Sequence, residues 1–315
     1  MEIKLNSDID VSIIMSSYNE EVEHIEKSIF SILNQSFRNF EFIIVLDNPN
    51  NKILNNYIKS IDDNRIVIIE NDRNMGLPNS LNKALKVARG TFIARMDADD
   101  ISLNSRIEEQ YKYMSKNKDI ALLGTDVFYI DEYGNQIDRF IKNSILTSFD
   151  KIKEKMKIGN EFFHPTLMIR KDIIVNEKIN GYRNIFAAEY YDLICRIINN
   201  GYKVENLNKQ LLFYRVRKNG ISKSNDFVQF KTSMLISKLY KKEILSEATE
   251  KYICDVSLNE SGLNNYIRAN KIKEFYKGNS KFIKIMLYVL ADIISKYHFI
   301  RAYRNFYWKI KCKFI

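Results

Sequence analysis

Three carboxylates, Asp97, Asp99 and Asp100, fall within four positions directly after the apolar run Thr91-Phe92-Ile93-Ala94-Arg95-Met96. Such a concentration of negative charge is costly unless something positive sits among it. Hard divalent cations such as Mg2+ or Mn2+ take oxygen ligands and share them with substrate phosphates, so the chemistry this pattern suits is metal-assisted handling of a phosphorylated ligand. A solvated acidic turn leading into a helix uses the same residue types. The cluster alone does not separate the two, and the elements around it have to decide.

Those elements alternate. Val11 to Ser16, Glu41 to Asp47, Arg65 to Glu70 and Thr91 to Met96 read as short buried strands, and helical spacing follows in 20–33, 52–61, 79–88 and 104–114. Four strands with intervening helices in the first hundred residues predict an α/β fold with a mostly parallel sheet covered on both faces. In an open sheet of this kind ligands bind beyond the carboxyl ends of the strands, which is where the acidic cluster falls. Beyond it the rhythm changes. Ile120 to Gly124 and Asp126 to Ile130 read as two extended segments, Thr166 to Arg170 as a strand able to pair with an earlier one, Lys151 to Ile158 and Glu189 to Asn200 as helices, and Leu211 to Arg215 as a last strand.

The chain has 315 residues, 45% hydrophobic and 28% charged, with 19 Tyr and 19 Phe against 3 Pro and 10 Gly, which excludes low-complexity disorder. Its 3 cysteines, Cys195, Cys254 and Cys312, are scattered and odd in number, so neither a disulfide framework nor a thiolate metal site is expected. Met1 to Asp10 carries Glu2 and Asp8 and no apolar signal-peptide core, so a cytoplasmic setting is expected.

Charge divides the chain at about Gly220. Residues 221–315 hold 18 Lys or Arg against 8 Asp or Glu, which accounts for the whole formal net charge of +10. We therefore read 1–220 as one domain and 221–315 as a helical, basic region, with helices expected over 227–247, 263–276 and 282–307. The apolar runs of the last helix are shorter than a membrane span requires. Trp308, Tyr303, Phe306 and Tyr307 lie among Arg301, Arg304, Lys309, Lys311 and Lys313, a mixture that settles at an anionic lipid surface. Peripheral attachment to the inner face of a membrane is the expectation. A helical subdomain, a homodimer surface and a nucleic-acid surface are the other uses of such a region; no nucleic-acid motif accompanies the charge.

Taken together, 11–225 resembles the inverting glycosyltransferases of family 2, which have a GT-A fold. The residues that carry the resemblance are Val11 to Glu20, Asn74-Met75-Gly76-Leu77 with Asn82 and Ala84, Ala88-Arg89-Gly90, Ile93 to Asp100, His164-Pro165-Thr166, Gly181-Tyr182-Arg183, and Ala188-Glu189 with Asp192-Leu193. The resemblance implies a nucleotide sugar, a UDP-sugar in the first instance, whose diphosphate rests on Mn2+ or Mg2+ held mainly by Asp99. Asp97 would reach the ribose, or the ion through water. Ser17, Tyr18 and Asn19 would shape the nucleotide site, Asp47 would meet the uracil edge, and Arg73 would offer charge to base or phosphate. Packing for Tyr18, a cap on the turn at Pro49 for Asp47 and a plain surface position for Arg73 are the structural alternatives.

Inversion requires a base on the acceptor side. In the family it is usually the aspartate of a Glu-Asp pair; here the pair reads Glu189-Tyr190. A phenol is a poor base at neutral pH. Glu189 itself and Asp192, three positions on and nearly on the same helical face, are the remaining carboxylates, and a weakened or inactive protein is the third reading. His164 is expected beside the acceptor. Asp47-Asn48-Pro49-Asn50 departs from the family's base-binding loop, and Val216-Arg217-Lys218 lacks the histidine that often follows the Tyr-Arg pair, leaving any phosphate or metal contact there to Arg217 or Lys218. The expected function is sugar transfer to a glycan or lipid-linked acceptor in surface polysaccharide or lipooligosaccharide synthesis, with a membrane-associated nucleotide-sugar-binding scaffold as the alternative. A sugar-1-phosphate nucleotidyltransferase would need a Gly-rich, lysine-containing loop after the first strand, and Met15 to Glu20 has no glycine.

Overall fold

The computed structural model describes residues 9–137, 145–217, 226–245 and 248–258, with Ser295 and Ile300. The expected helices over 263–276 and 282–307 and the aromatic, cationic end lie outside the described residues. The chain divides into two compact units, Met1–Lys153 with Glu161–Ile185 and Glu189–Gly220, and Glu154–Asn160 with Phe186–Ala188 and Ile221–Ile315. The second unit thus takes in two short pieces that composition alone assigned to the first.

In the first unit the strands are β1 (Val11–Ser17), β2 (Phe40–Leu46), β3 (Ile66–Glu70), β4 (Phe92–Arg95), β5 (Ile101–Ser102), β6 (Ile120–Ile130), β7 (Met168–Arg170) and β8 (Lys203–Arg215). The helices in chain order are α1 (Val22–Leu33), α2 (Lys52–Lys59), α3 (Leu77–Val87), α4 (Arg106–Lys116), α5 (Phe149–Met156), α6 (Lys171–Ile174), α7 (Glu189–Asn199), α8 (Asp226–Lys241) and α9 (Ala248–Leu258). The strands form one sheet in the order β3-β2-β1-β4-β7-β6-β8-β5. β1 to β4 are parallel, β7 enters antiparallel to both β4 and β6, β6 and β8 are parallel, and β5 is antiparallel to β8. The expected mostly parallel α/β sheet is present. The two extended segments expected over 120–130 are one strand whose pairing with β8 slips near Asp126.

β1 and β2 are buried nearly throughout, as strands covered on both faces must be. β2 nevertheless carries Glu41, 3% exposed. Its carboxylate accepts from Ser12 Oγ at 2.6 Å, from the Arg89 N–H at 2.7 Å and from Arg89 Nε at 2.8 Å. Those bonds hold its pKa below the usual range against the desolvation that would raise it. Ser12 Oγ also accepts the Gly90 N–H at 2.7 Å, and a Cβ at Gly90 would lie 2.4 Å from the Ser12 nitrogen. Glycine is required there because the backbone entering β4 passes against β1. This seam fixes where β4 runs, and so where its acidic end emerges.

Within the second unit, α8 and α9 pack on each other, and Phe227 gathers Phe230 and Met234 while Lys231 lies over its ring. Ile236 and Ile253 are fully buried. No helix among the described residues is long and apolar enough to cross a membrane.

Candidate active site

β4 ends at Arg95, and the chain turns through Asp97, Asp99 and Asp100 before β5. The three carboxylates meet different surroundings. Asp100 is 1% exposed; its Oδ1 accepts the Arg215 N–H at 2.7 Å, and desolvation, with the charges of Asp99 and Asp97, pushes its pKa well above the usual carboxylate range. Asp97 and Asp99 keep 29% and 28% of their side chains exposed, so these two can meet a ligand. Asp97 Oδ1 accepts from Arg95 Nη2 at 2.5 Å, and Asp99 Oδ2 lies 3.0 Å from Arg217 Nε. Desolvation and the charge of Asp97 raise the Asp99 pKa.

Arginines frame the turn. Arg215, at the end of β8, donates from Nε to the Asp99 carbonyl at 2.7 Å and from Nη1 to the Asp131 and Glu132 carbonyls at 3.1 and 3.2 Å. Arg106 is fully buried beneath, donating to the carbonyls of Arg95 and Pro165, and burial pushes its pKa down to about 9. Six guanidinium nitrogens of these arginines, Arg95 Nε and Nη1, Arg106 Nε, Arg215 Nη2, and Arg217 Nε and Nη2, are buried and make no hydrogen bond. Leaving buried donors unmatched is costly, and those of Arg215 and Arg217 border the acidic turn.

The ends of β1 and β2 supply the neighbouring loops. Ser17 Oγ and the Tyr18 N–H both donate to Glu20 Oε2, at 2.9 and 2.8 Å. Desolvation raises the Glu20 pKa and the charge of Asp99 adds to it, which places this carboxylate beside the acidic turn. Tyr18 is exposed, and Asn19 Oδ1 accepts from Asn48 Nδ2 at 2.6 Å. Asp47, 3% exposed, does not cap the turn at Pro49. It accepts from Asn71 Nδ2 at 2.6 Å and from the Met75 and Gly76 N–H groups at 2.8 and 2.9 Å, closing the loop before α3 onto β2. A carboxylate has about four acceptor positions, and three of them are filled here. Arg73 is exposed on the same loop.

The second candidate cluster forms where the turn His164–Thr166 meets the first turn of α7. His164 is buried, its ring stacked on Tyr190 at 4.7 Å and 6° between planes. His164 Nε2 lies 3.2 Å from the Tyr182 hydroxyl, and Nδ1 lies 3.6 Å from Glu189 Oε1. Burial, and then the charge of Arg95, push the His164 pKa well below its ordinary value, so the ring is neutral and its approach to Glu189 is not a salt bridge. Glu189 is 6% exposed, and burial pushes its pKa up to about 7 against the lowering effects of its own N–H and of Arg95. Asp97 also acts on Glu189, so the acidic turn and this cluster share one electrostatic environment.

Asp192 does not join it. It is fully buried, accepting from Arg196 Nε at 2.7 Å and meeting Arg183 Nη1 at 3.4 Å, while Arg196 also donates to the Ile179 and Gly181 carbonyls. The other carboxylate expected as a base is thus placed apart from His164 and Glu189, where it ties α7 to the chain before it. Tyr190 serves as the flat partner of His164.

Four contributors had no assigned role in the sequence reading: Glu20, Arg95, Arg215 and Tyr182. All four stand in the stretches that carry the family resemblance, Arg215 in its Tyr-Arg pair, and Arg95 also shows as a charge within an otherwise apolar run. As for a cation, no three His, Cys, Asp or Glu side chains form a cage among the described residues. Mg2+ and Mn2+ need none, since they take one or two carboxylates and complete their shell with water and phosphate. Asp99 with Asp97, both partly exposed and next to unmatched donors for the phosphate, fit such an ion.

Residues 12–176 match the model of the family described as Glycosyl transferase family 2, just over half of the chain. The chain belongs to this family. An uncharacterised glycosyltransferase of Methanocaldococcus jannaschii is 41% identical over 208 residues, 65% of this chain and 70% of that one. The O-antigen biosynthesis glycosyltransferase WbnJ of Escherichia coli is 36% identical over 220 residues, 68% and 82% of the two chains. Among solved structures, S. aureus TarS 1–349 in complex with UDP-GlcNAc superposes with a TM-score of 0.60 at 18% identity, covering 94% of this chain and 92% of that one. The sheet is therefore GT-A-like, and the family 2 glycosyltransferase described here keeps its acidic turn and Glu189 inside the part that carries the fold.

Proposed function

We propose that this family 2 glycosyltransferase transfers a sugar, with inversion, from a UDP-sugar to a hydroxyl of a glycan or lipid-linked acceptor. The observation that carries the reading is the pairing of Glu189, a buried carboxyl with a pKa near 7, with an acidic turn ringed by unmatched guanidinium donors. The donors suit the diphosphate. Asp97 and Asp99 would hold Mn2+ or Mg2+, which when bound supplies Lewis-acid neutralisation of the departing nucleoside diphosphate. Glu189 takes the proton of the acceptor hydroxyl as its oxygen forms the new bond to the anomeric carbon. The bond from that carbon to the phosphate oxygen breaks on the opposite face, and its electron pair leaves with the diphosphate. His164 would orient Glu189 in the tautomer whose Nε2 accepts from the Tyr182 hydroxyl, which leaves the proton on Nδ1, 3.6 Å from Glu189 Oε1. Ser17, Tyr18, Asn19, Asp47 and Arg73 line the nucleotide side.

The uridine nucleotide is supported by TarS, solved with UDP-GlcNAc, and surface polysaccharide synthesis by WbnJ. The basic excess of residues 221–315 supports peripheral attachment to an anionic membrane, where a lipid-linked acceptor would be presented. The test is nucleotide release from UDP-, GDP- and dTDP-sugars with Mn2+ or Mg2+, comparing the native chain with Glu189→Gln. Release from UDP-sugars, lost in the variant with UDP binding intact, is expected. Tight UDP binding without turnover in the native chain would favour the scaffold reading instead, with Tyr190 as its mark.

A further inference from the structure

Arg215 and Arg217 leave β8 two residues apart and are held very differently. Arg215 is fixed by its own N–H on Asp100 and by side-chain bonds to three carbonyls. Arg217 has Asp99 as its ion-pair partner, Nε 3.0 Å from Oδ2, with 29% of its side chain exposed. The contact is poorly directed, because Nε and Nη2 are buried and neither makes a hydrogen bond. The arginine therefore neutralises Asp99 while most of its own bonding capacity stays unfilled. A partly exposed pair of this kind is weak, whereas a guanidinium on a phosphate forms paired, charge-assisted bonds.

We propose that Arg217 is an internal counter-ion that occupies Asp99 until a nucleoside diphosphate draws its guanidinium away, so that the nucleotide and a divalent cation bind synergistically. The inference rests on the nucleotide-sugar reading and adds an order of events to it. A cation arriving first meets a carboxylate already neutralised, with a positive group in its path. A diphosphate arriving first takes the Nε and Nη2 donors, exposes the Asp99 oxygen and adds oxygen ligands of its own. Coupling of this kind is reciprocal, so the cation must strengthen nucleotide binding by the same factor.

The test uses the full chain and three probes: Mn2+ alone, UDP alone, and Mn2+ with saturating UDP. Free Mn2+ is followed by electron paramagnetic resonance and UDP by calorimetry. In the native chain UDP should tighten Mn2+ binding by about 30-fold or more, within the usual range of coupled sites. Arg217→Gln should bind Mn2+ alone about fivefold tighter and UDP alone more weakly, and the coupling should shrink toward the low end of that range. Arg217→Lys keeps the charge without the fork, so it should leave Mn2+ alone near the native affinity while weakening UDP. Unchanged or weaker Mn2+ binding in Arg217→Gln, with the native coupling intact, would overturn the counter-ion role. A native chain that binds neither Mn2+ nor UDP would overturn the nucleotide-sugar reading beneath it, and Mn2+ binding unaffected by Asp99→Asn would overturn the placement of the cation.

Discussion

At the acidic end of β4, Asp97, Asp99 and Asp100 lie among Arg95, Arg215 and Arg217; at the start of α7, Glu189 lies among His164, Tyr182 and Tyr190. The first region is rich in charges of both signs and keeps two carboxylates partly exposed. The second is nearly dry, and its histidine is held neutral. One environment is suited to receiving a polyanion, because positive groups are already in place and incompletely bonded. The other is suited to moving a proton near neutrality, because desolvation lifts a carboxyl toward the working pH. Similar side chains acquire different uses from what surrounds them.

The largest effects should separate these regions by the step they damage. Glu189→Gln removes the proposed proton acceptor and should lower kcat by about 10²- to 10⁴-fold while leaving UDP affinity near the native value. Asp99→Asn should lower turnover comparably and weaken the metal-dependent part of UDP binding as well. Equal losses of UDP affinity in both variants, measured by calorimetry with Mn2+, would erase the distinction.

Asp192→Asn probes a carboxylate on the same helix with a structural job. Removing one partner of a buried pair costs about 3–5 kcal/mol, so thermal unfolding should shift markedly downward. Turnover per folded molecule should stay within a few-fold of native. A stable Asp192→Asn protein with kcat reduced a hundredfold would return Asp192 to the list of proton acceptors.

The difference between Glu189 and Asp192 shows what the sequence could not supply. Positions three apart on a helix are about 60° apart around its axis, and the pattern cannot show on which side of that angle the interior begins. The pKa of Glu189 is raised by burial, and one group beside it, His164, stands 25 positions earlier in the chain. Asp47 is similar: the apolar run before it marks the end of β2, but its partners Asn71, Met75 and Gly76 lie on a loop beyond another helix and strand. β1, β2 and β4 were legible because their burial on both faces leaves continuous apolar runs. β5 was not, since Ile101–Ser102 becomes a strand only through pairing with β8.

pH sharpens the comparison further. The pKa of Glu189 is raised to about 7, so kcat/KM should fall tenfold per unit below about pH 7 as the base becomes protonated. Stability should move the opposite way. A carboxyl whose folded pKa exceeds its unfolded value stabilises fully below the unfolded value, and that contribution is lost as pH rises toward the folded one. Native protein should therefore lose stability relative to Glu189→Gln between about pH 4.5 and 7, by on the order of 3 kcal/mol. Chemical unfolding of the two proteins across that range checks the sign.

The smallest expected effect is the most discriminating for Tyr190, which stands where the family usually has its aspartate. Its ring is stacked parallel on the neutral His164 imidazole, and that contact depends on the aromatic face. Tyr190→Phe should keep the stack and change kcat by less than about threefold, because offset ring contacts are worth only about 0.5–1.5 kcal/mol and this one is preserved. Tyr190→Ala should cost more, since a displaced His164 would no longer orient Glu189, and the loss should appear in kcat with UDP affinity unchanged. If Tyr190→Phe were as damaging as Glu189→Gln, the phenol would be part of the proton path and the division between the two regions would need redrawing. If Tyr190→Asp instead raised activity, the stack would be replacing a second carboxylate at a cost in rate.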